Sequence, residues 1–183
     1  MHDDWFDDED VDSQQKAFLD VVRESARSWP ECSPDETAVL LFPDPDDEDQ
    51  EFVAPHPSGY AEYDAALEQA FVNKEPVLEA IVYLIDFEGN LRLKVLGATL
   101  VDTKLICMER NDNFWPEPSK DVKTLEATGS PEELGRIAAD WFEEIVRRSV
   151  ISTQRRPHRW YFAAPGTPLP TAHRWARNGP RTE

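Results

Sequence analysis

Cysteine is scarce: the 183 residues contain two, Cys32 and Cys107. Two thiols cannot build a disulfide framework or a four-thiolate zinc site, so the pair reads as reduced thiols. Long apolar runs are missing too. None reaches the roughly 18 to 20 residues that cross a bilayer, and the first residues, MHDDWFDDED, are acidic where a signal peptide needs a basic start. The expectation is a cytoplasmic protein with no membrane contact. The seven glycines form no GxxxxGKS/T, GxGxxG or GxSxG pattern, so phosphate-binding loops and hydrolase elbows have no support. His2, His56, His158 and His173 stand singly, outside any metal-ligand spacing. No metal and no cofactor is expected.

Bases are rare at the start. Residues 1 to 51 hold 18 acids against Lys16, Arg23 and Arg27, while residues 52 to 146 hold 18 acids against eight bases. From Arg147 onward the balance inverts to eight arginines and one acid, within a chain of net charge −18. Such a field repels nucleic acid over most of the surface and draws in cationic partners at a salt-dependent rate. A basic protein is therefore the expected partner, and nucleic acid is not. The competing reading is intramolecular, with the basic end folded back on the acidic start.

Apolar residues make up 40% of the chain, with six Trp and nine Phe, which is enough to bury a core. Residues 1–12 carry seven acids and only Trp5, Phe6 and Val11 to bury, which predicts an acidic disordered arm whose aromatics anchor to a partner or to their own domain. A single α+β domain is expected over 13–164, and an irregular basic tail over 165–183. Within the domain, Ala17, Phe18, Val21, Val22 and Ala26 recur at helical spacing after Ser13, a candidate N-cap. Thr37 to Phe42 reads as a strand, and Gly59 to Val72 as a helix with Tyr63, Leu67, Ala70 and Phe71 on one face. The unbroken run VLEAIVYLID from Val77 predicts a central strand covered on both faces. It turns through FEGN into the alternating LRLKVLG, and KLICMER from Lys104 to Arg110 completes a three-strand meander. Ser130, Pro131 and Glu133 spell a capped helix start, followed by the stripe Leu134, Ile137, Ala138, Trp141, Ile145 and Val146. Val150 to Thr153 and Arg159 to Ala163 read as one or two more strands. The sum is an α+β fold: a mainly antiparallel sheet of four to six strands, the meander at its centre, with three helices packed on it.

Three segments stand out chemically. The acidic loop with Asp44, Asp46, Asp47, Glu48, Asp49 and Glu51 invites a calcium reading, but counting from Asp44 puts Asp49 where the tight turn needs Gly and Pro55 where the bidentate Glu belongs. It reads instead as a solvated or partner-facing surface. Phe114 and Trp115 stand among turn-formers between the meander and the capped helix, the placement of an interface anchor or of a cap on their own core. Arg155, Arg156, Arg159 and Trp160, echoed by His173, Arg174 and Trp175, interleave bases with aromatics as single-stranded nucleic acid requires. The rest of the chain carries the opposite charge, so pairing with the acidic loop or arm is the simpler reading. Cys107, in an apolar strand, reads as a small hydrophobe. No linear motif selects a catalytic residue. The leading expectation is a non-catalytic acidic module that neutralises or escorts a basic protein, as immunity proteins and antitoxins do. Two alternatives stand beside it: a scaffold subunit that self-assembles through its acidic start and basic end, and an enzyme without a recognisable motif.

Overall fold

The computed structural model describes residues 5–7, 11–29, 32–42, 61–73, 75–89, 92–110, 121–154, 159–164, 166 and 168–179. Helix α1 (Ser13–Ala26) starts at the expected cap itself, and Asp12, one residue earlier, takes the capping role. The Asp12 carboxylate accepts from the N–H groups of Gln14 and Gln15, both at 2.8 Å, while Gln15 Oε1 accepts from Asp12 N at 3.0 Å. A carboxylate that serves two otherwise orphaned donors and is answered by the third helical residue outcompetes the Ser13 hydroxyl. Helix α3 (Pro131–Val146) begins as its sequence predicts, with Ser130 and Glu133 capping each other at 3.4 and 3.0 Å. Those bonds hold the Glu133 carboxyl below its ordinary pKa. Helix α2 (Ala61–Asn73) buries Tyr63, Leu67 and Ala70, as the pattern implies; the Phe71 side chain lies outside the described ones.

Five strands form an antiparallel sheet in sequential order: β1 (Thr37–Phe42), β2 (Val77–Ile85), β3 (Arg92–Val101), β4 (Lys104–Arg110) and β5 (Leu125–Thr128). The expected meander β2–β3–β4 is its centre. Alternate side chains point to opposite faces of a strand, so each strand divides its residues between two layers. Leu78, Ala80, Val82 and Leu84 of β2, with Leu96, Ala98 and Leu100 of β3 and Leu105 and Cys107 of β4, join the core that also contains α1 and α3. Val77, Ile106 and Met108 face the other way and meet Tyr63, Leu67 and Ala70 of α2. The central strands are thus covered on both sides.

On the first face α1 and α3 pack together closely because of Gly135: a Cβ there would come within 2.7 Å of the Phe18 carbonyl oxygen and 2.9 Å of Val21 Cβ. The same core receives residues from the acidic start. Phe6 is wholly buried among Trp29 and Phe142, with ring centroids 6.2 Å from each. Its backbone lies in the left-handed region, φ 50°, a conformation that costs a bulky residue about 1–2 kcal/mol. It is held there by Arg23, whose Nε and Nη2 donate to the carbonyls of Trp5 and Phe6 at 3.0 and 2.7 Å, and by a bond from Phe6 N to Thr37 Oγ1. The aromatics of the stretch read as an arm therefore anchor to their own domain.

A second antiparallel sheet follows α3, with β6 (Val150–Thr153) between β7 (Trp160–Phe162) and β8 (His173–Arg177). Strand β8 lies inside the segment expected to be an irregular tail. Arg177 ties it to the larger sheet, and the Phe87 N–H donates to the Ala176 carbonyl at 3.0 Å. Asn178 Nδ2 donates to the carbonyls of Val146 and Arg148 at the end of α3.

Candidate functional site

Most of the residues singled out by sequence lie outside the described ones: Asp44, Asp46, Asp47, Glu48 and Asp49 of the acidic loop, Phe114 and Trp115 of the aromatic loop, and Arg155 and Arg156. Arg159 and Trp160 are described. Arg159 is exposed just ahead of β7, where its backbone exchanges hydrogen bonds with Thr153. Trp160 is half-buried and packs against the main core, while Tyr161 alternates to the outer side of the small sheet and is 39% exposed. The pairing sets Tyr161 and Trp175 on either side of Ile151, one row across three strands.

The distribution of ion pairs bears on where the net charge is free to act. All three bases of the first third are engaged within α1: Lys16 and Arg23 with Asp20, and Arg27 with Glu24, at 3.2–3.3 and 2.7 Å. These are exposed helical pairs, worth about 0.3–0.5 kcal/mol each. At the other end, Arg147 pairs with Glu143. Arg148 donates to the Asp121 carbonyl at 2.7 Å and lies over the Phe162 ring at 4.1 Å. Arg174 Nε donates to Ser152 Oγ at 3.2 Å. Arg177 is 4% exposed and grips Glu36 with two nitrogens, at 3.1 and 3.2 Å, while donating to the Ile85 carbonyl at 2.9 Å. At this one site, among the described residues, an arginine of the basic end meets an acid of the first third within the same molecule. Lys94 and Glu109 make a further pair, largely buried, at 2.5 Å.

The most perturbed ionisable cluster lies under α2, and sequence reasoning did not find it. Glu79 in β2 is fully buried, with Oε2 accepting from Arg110 Nη1 at 2.7 Å. Burial pushes its carboxyl from the ordinary 4.5 up to about 7, with Arg110 first and then the neighbouring Thr99 hydroxyl pulling the other way. Tyr63 approaches from α2, and its phenol is driven above its ordinary value by burial and by the Glu79 charge. Thr99 is the direct cross-strand partner of Glu79 on β3. Gly97, two positions along on the same face, leaves the room the carboxylate uses; a Cβ there would collide with Glu79 Oε1. One signal was readable in advance: Glu79 is the sole charged residue in the apolar run Val77 to Ile85.

Neither thiol is prepared for nucleophilic chemistry, which needs a depressed pKa. Burial, and then the charge of Glu36, pushes Cys32 up to about 12; burial alone drives Cys107 higher still. Among the described residues no three His, Cys, Asp or Glu side chains are grouped to hold a metal ion, and no helix is long and apolar enough to cross a membrane. No family model, no curated protein and no solved structure matches the chain.

Proposed function

We propose that this chain is a non-catalytic binding protein that neutralises or escorts a basic protein, in the manner of an immunity protein or antitoxin of the cytoplasm. One observation carries the reading: among the described residues, the bases of the first third and of the basic end are held in local contacts, and Arg177 is the one arginine of the basic end that reaches an acid of the first third. Lys16, Arg23 and Arg27 are taken by acids of α1. Of the five arginines described from Arg147 onward, four have guanidinium groups engaged with Glu143, the Asp121 carbonyl, Ser152 or Glu36. Arg159 alone of the five has no described side-chain partner. We read the remaining surplus of acid as available to cations outside the molecule.

In this reading Asp44, Asp46, Asp47, Glu48 and Asp49 occupy the partner's cationic cleft, and Phe114 or Trp115 supplies a desolvated anchor. Complementary charge mainly accelerates encounter and selects the partner, and the aromatic anchor slows escape. The test is a capture experiment with two baits. One is the native chain; the other carries Asp44→Asn, Asp46→Asn, Asp47→Asn, Glu48→Gln and Asp49→Asn together. A basic protein should be held by the native chain at low salt, released as salt rises, and not held by the neutralised bait. Equal retention by both baits would remove the loop from the account.

A further inference from the structure

The cluster beneath α2 contains an imbalance that its ion pair does not resolve. Glu79 presents two carboxylate oxygens to the interior, and Arg110 satisfies one. Glu79 Oε1 makes no hydrogen bond of good geometry, and neither does Thr99 Oγ1 on the facing strand. A buried acceptor without a donor costs about 1–3 kcal/mol. The two partners also differ in their access to water: the Glu79 side chain has none, while Arg110 is 25% exposed. Arg110 is the last residue of β4.

Among the described residues, the groups facing Glu79 are few. Arg110 comes from β4. Tyr63 comes from α2, with Asp64 beside it acting on that phenol. β3 contributes Thr99 and Gly97, and β1 sets Leu40 opposite Glu79 with no charge. Among the described residues, Arg110 is thus the cation that favours the ionised carboxylate.

We propose that Glu79 and Arg110 form a proton-operated latch between the centre of the sheet and the end of β4. In the closed state the carboxylate is ionised and draws the guanidinium inward. When Glu79 takes up a proton it becomes a neutral acid, and the Thr99 hydroxyl, which favours the ionised carboxylate as a donor, turns to accept the new O–H from Oε1. Arg110 keeps its charge and turns fully into water, so the chain gains one surface cation and β4 loses the tether at its end. The displaced carboxyl value, about 7, puts this step near neutral pH. Full burial and, among the described residues, a single cationic partner that itself reaches water carry the proposal, and it stands whether or not the acidic loop meets a partner.

The experiment is a carbon-detected NMR titration of side-chain carboxyls in the whole chain, with the Arg110 Nε–H and Tyr63 ring signals followed in parallel. Glu79 should titrate about 7, far above the exposed carboxylates. The Arg110 and Tyr63 signals should move with the same midpoint, and Glu79→Gln should abolish that movement. Arg110→Gln should raise the Glu79 midpoint, because it removes the nearest cation. The native titration alone decides the matter if a variant fails to fold. A Glu79 midpoint among those of the exposed acids would overturn the proposal, as would a midpoint near neutrality with Arg110 unmoved.

Discussion

Replacing Phe6 with Ala tests how the acidic start is held. The ring is fully buried and touches Trp29 and Phe142, and truncating a buried Phe to Ala costs about 3–5 kcal/mol through lost transfer energy and the cavity left behind. Half-buried Trp5 packs on the same core, its ring edge-on to Trp29 at 6.1 Å, and a shift of that ring can offset part of the loss. The lower end, about 3 kcal/mol, is therefore the expectation. The left-handed backbone at Phe6 remains strained in the Ala variant, so no backbone gain offsets the loss. Against a total stability of about 5–15 kcal/mol for a domain of this size, the change is large. With a urea slope of about 1–3 kcal/mol/M, the unfolding midpoint should fall by about 1–3 M. Urea unfolding followed by tryptophan fluorescence measures it, because Trp29 reports on the same cluster. A loss below about 0.5 kcal/mol, the range of surface substitutions, would refute the placement of Phe6 in the core and restore a free arm.

Arg177→Ala should cost about 3 kcal/mol, because it strands the nearly buried Glu36 carboxylate and the Ile85 carbonyl; thermal unfolding should register it, and Arg177→Lys should recover part. Gly135→Ala should destabilise by about 1–3 kcal/mol despite the better helix propensity of Ala, since the new methyl meets the Phe18 carbonyl oxygen; a neutral or stabilising outcome in denaturant would contradict the α1–α3 approach. The native-minus-Glu79→Gln difference in stability should depend on pH in a defined sense. The folded carboxyl value, about 7, lies above its ordinary 4.5, so the native state binds the proton more tightly. The stabilising contribution of protonated Glu79 is complete below 4.5 and is lost as pH rises to about 7, a fall of about 3 kcal/mol at about 1.4 kcal/mol per unit. A flat or rising difference across that window would contradict it.

What could be read from sequence was local. The six-residue apolar run of β1, the alternation in β3 and the Ser130–Glu133 capping box each lie within a few positions, and those elements formed as expected. Strand β5 was not legible because LEAT offers two half-buried apolar residues and two exposed polar ones, too short a pattern to rise above a loop. Strand β8 was missed for a different reason. HRWAR has little apolar content, and its place is set by long-range bonds, such as Arg177 to Glu36 across 141 positions. The Glu79–Arg110 pair joins residues 31 apart, and only the antiparallel register brings them to one face. The acidic loop was legible as charge alone, and charge states a preference for partners without fixing a geometry.

The most direct test of the central claim is the association rate of the captured basic partner with the native chain and with the five-fold neutralised loop, measured by stopped flow from low to physiological salt. Electrostatic steering accelerates encounter by about tenfold or more. The native rate should fall steeply with salt, and the neutralised chain should associate slowly at every salt concentration with a nearly flat dependence. Equal rates and equal salt slopes for the two chains would contradict the account.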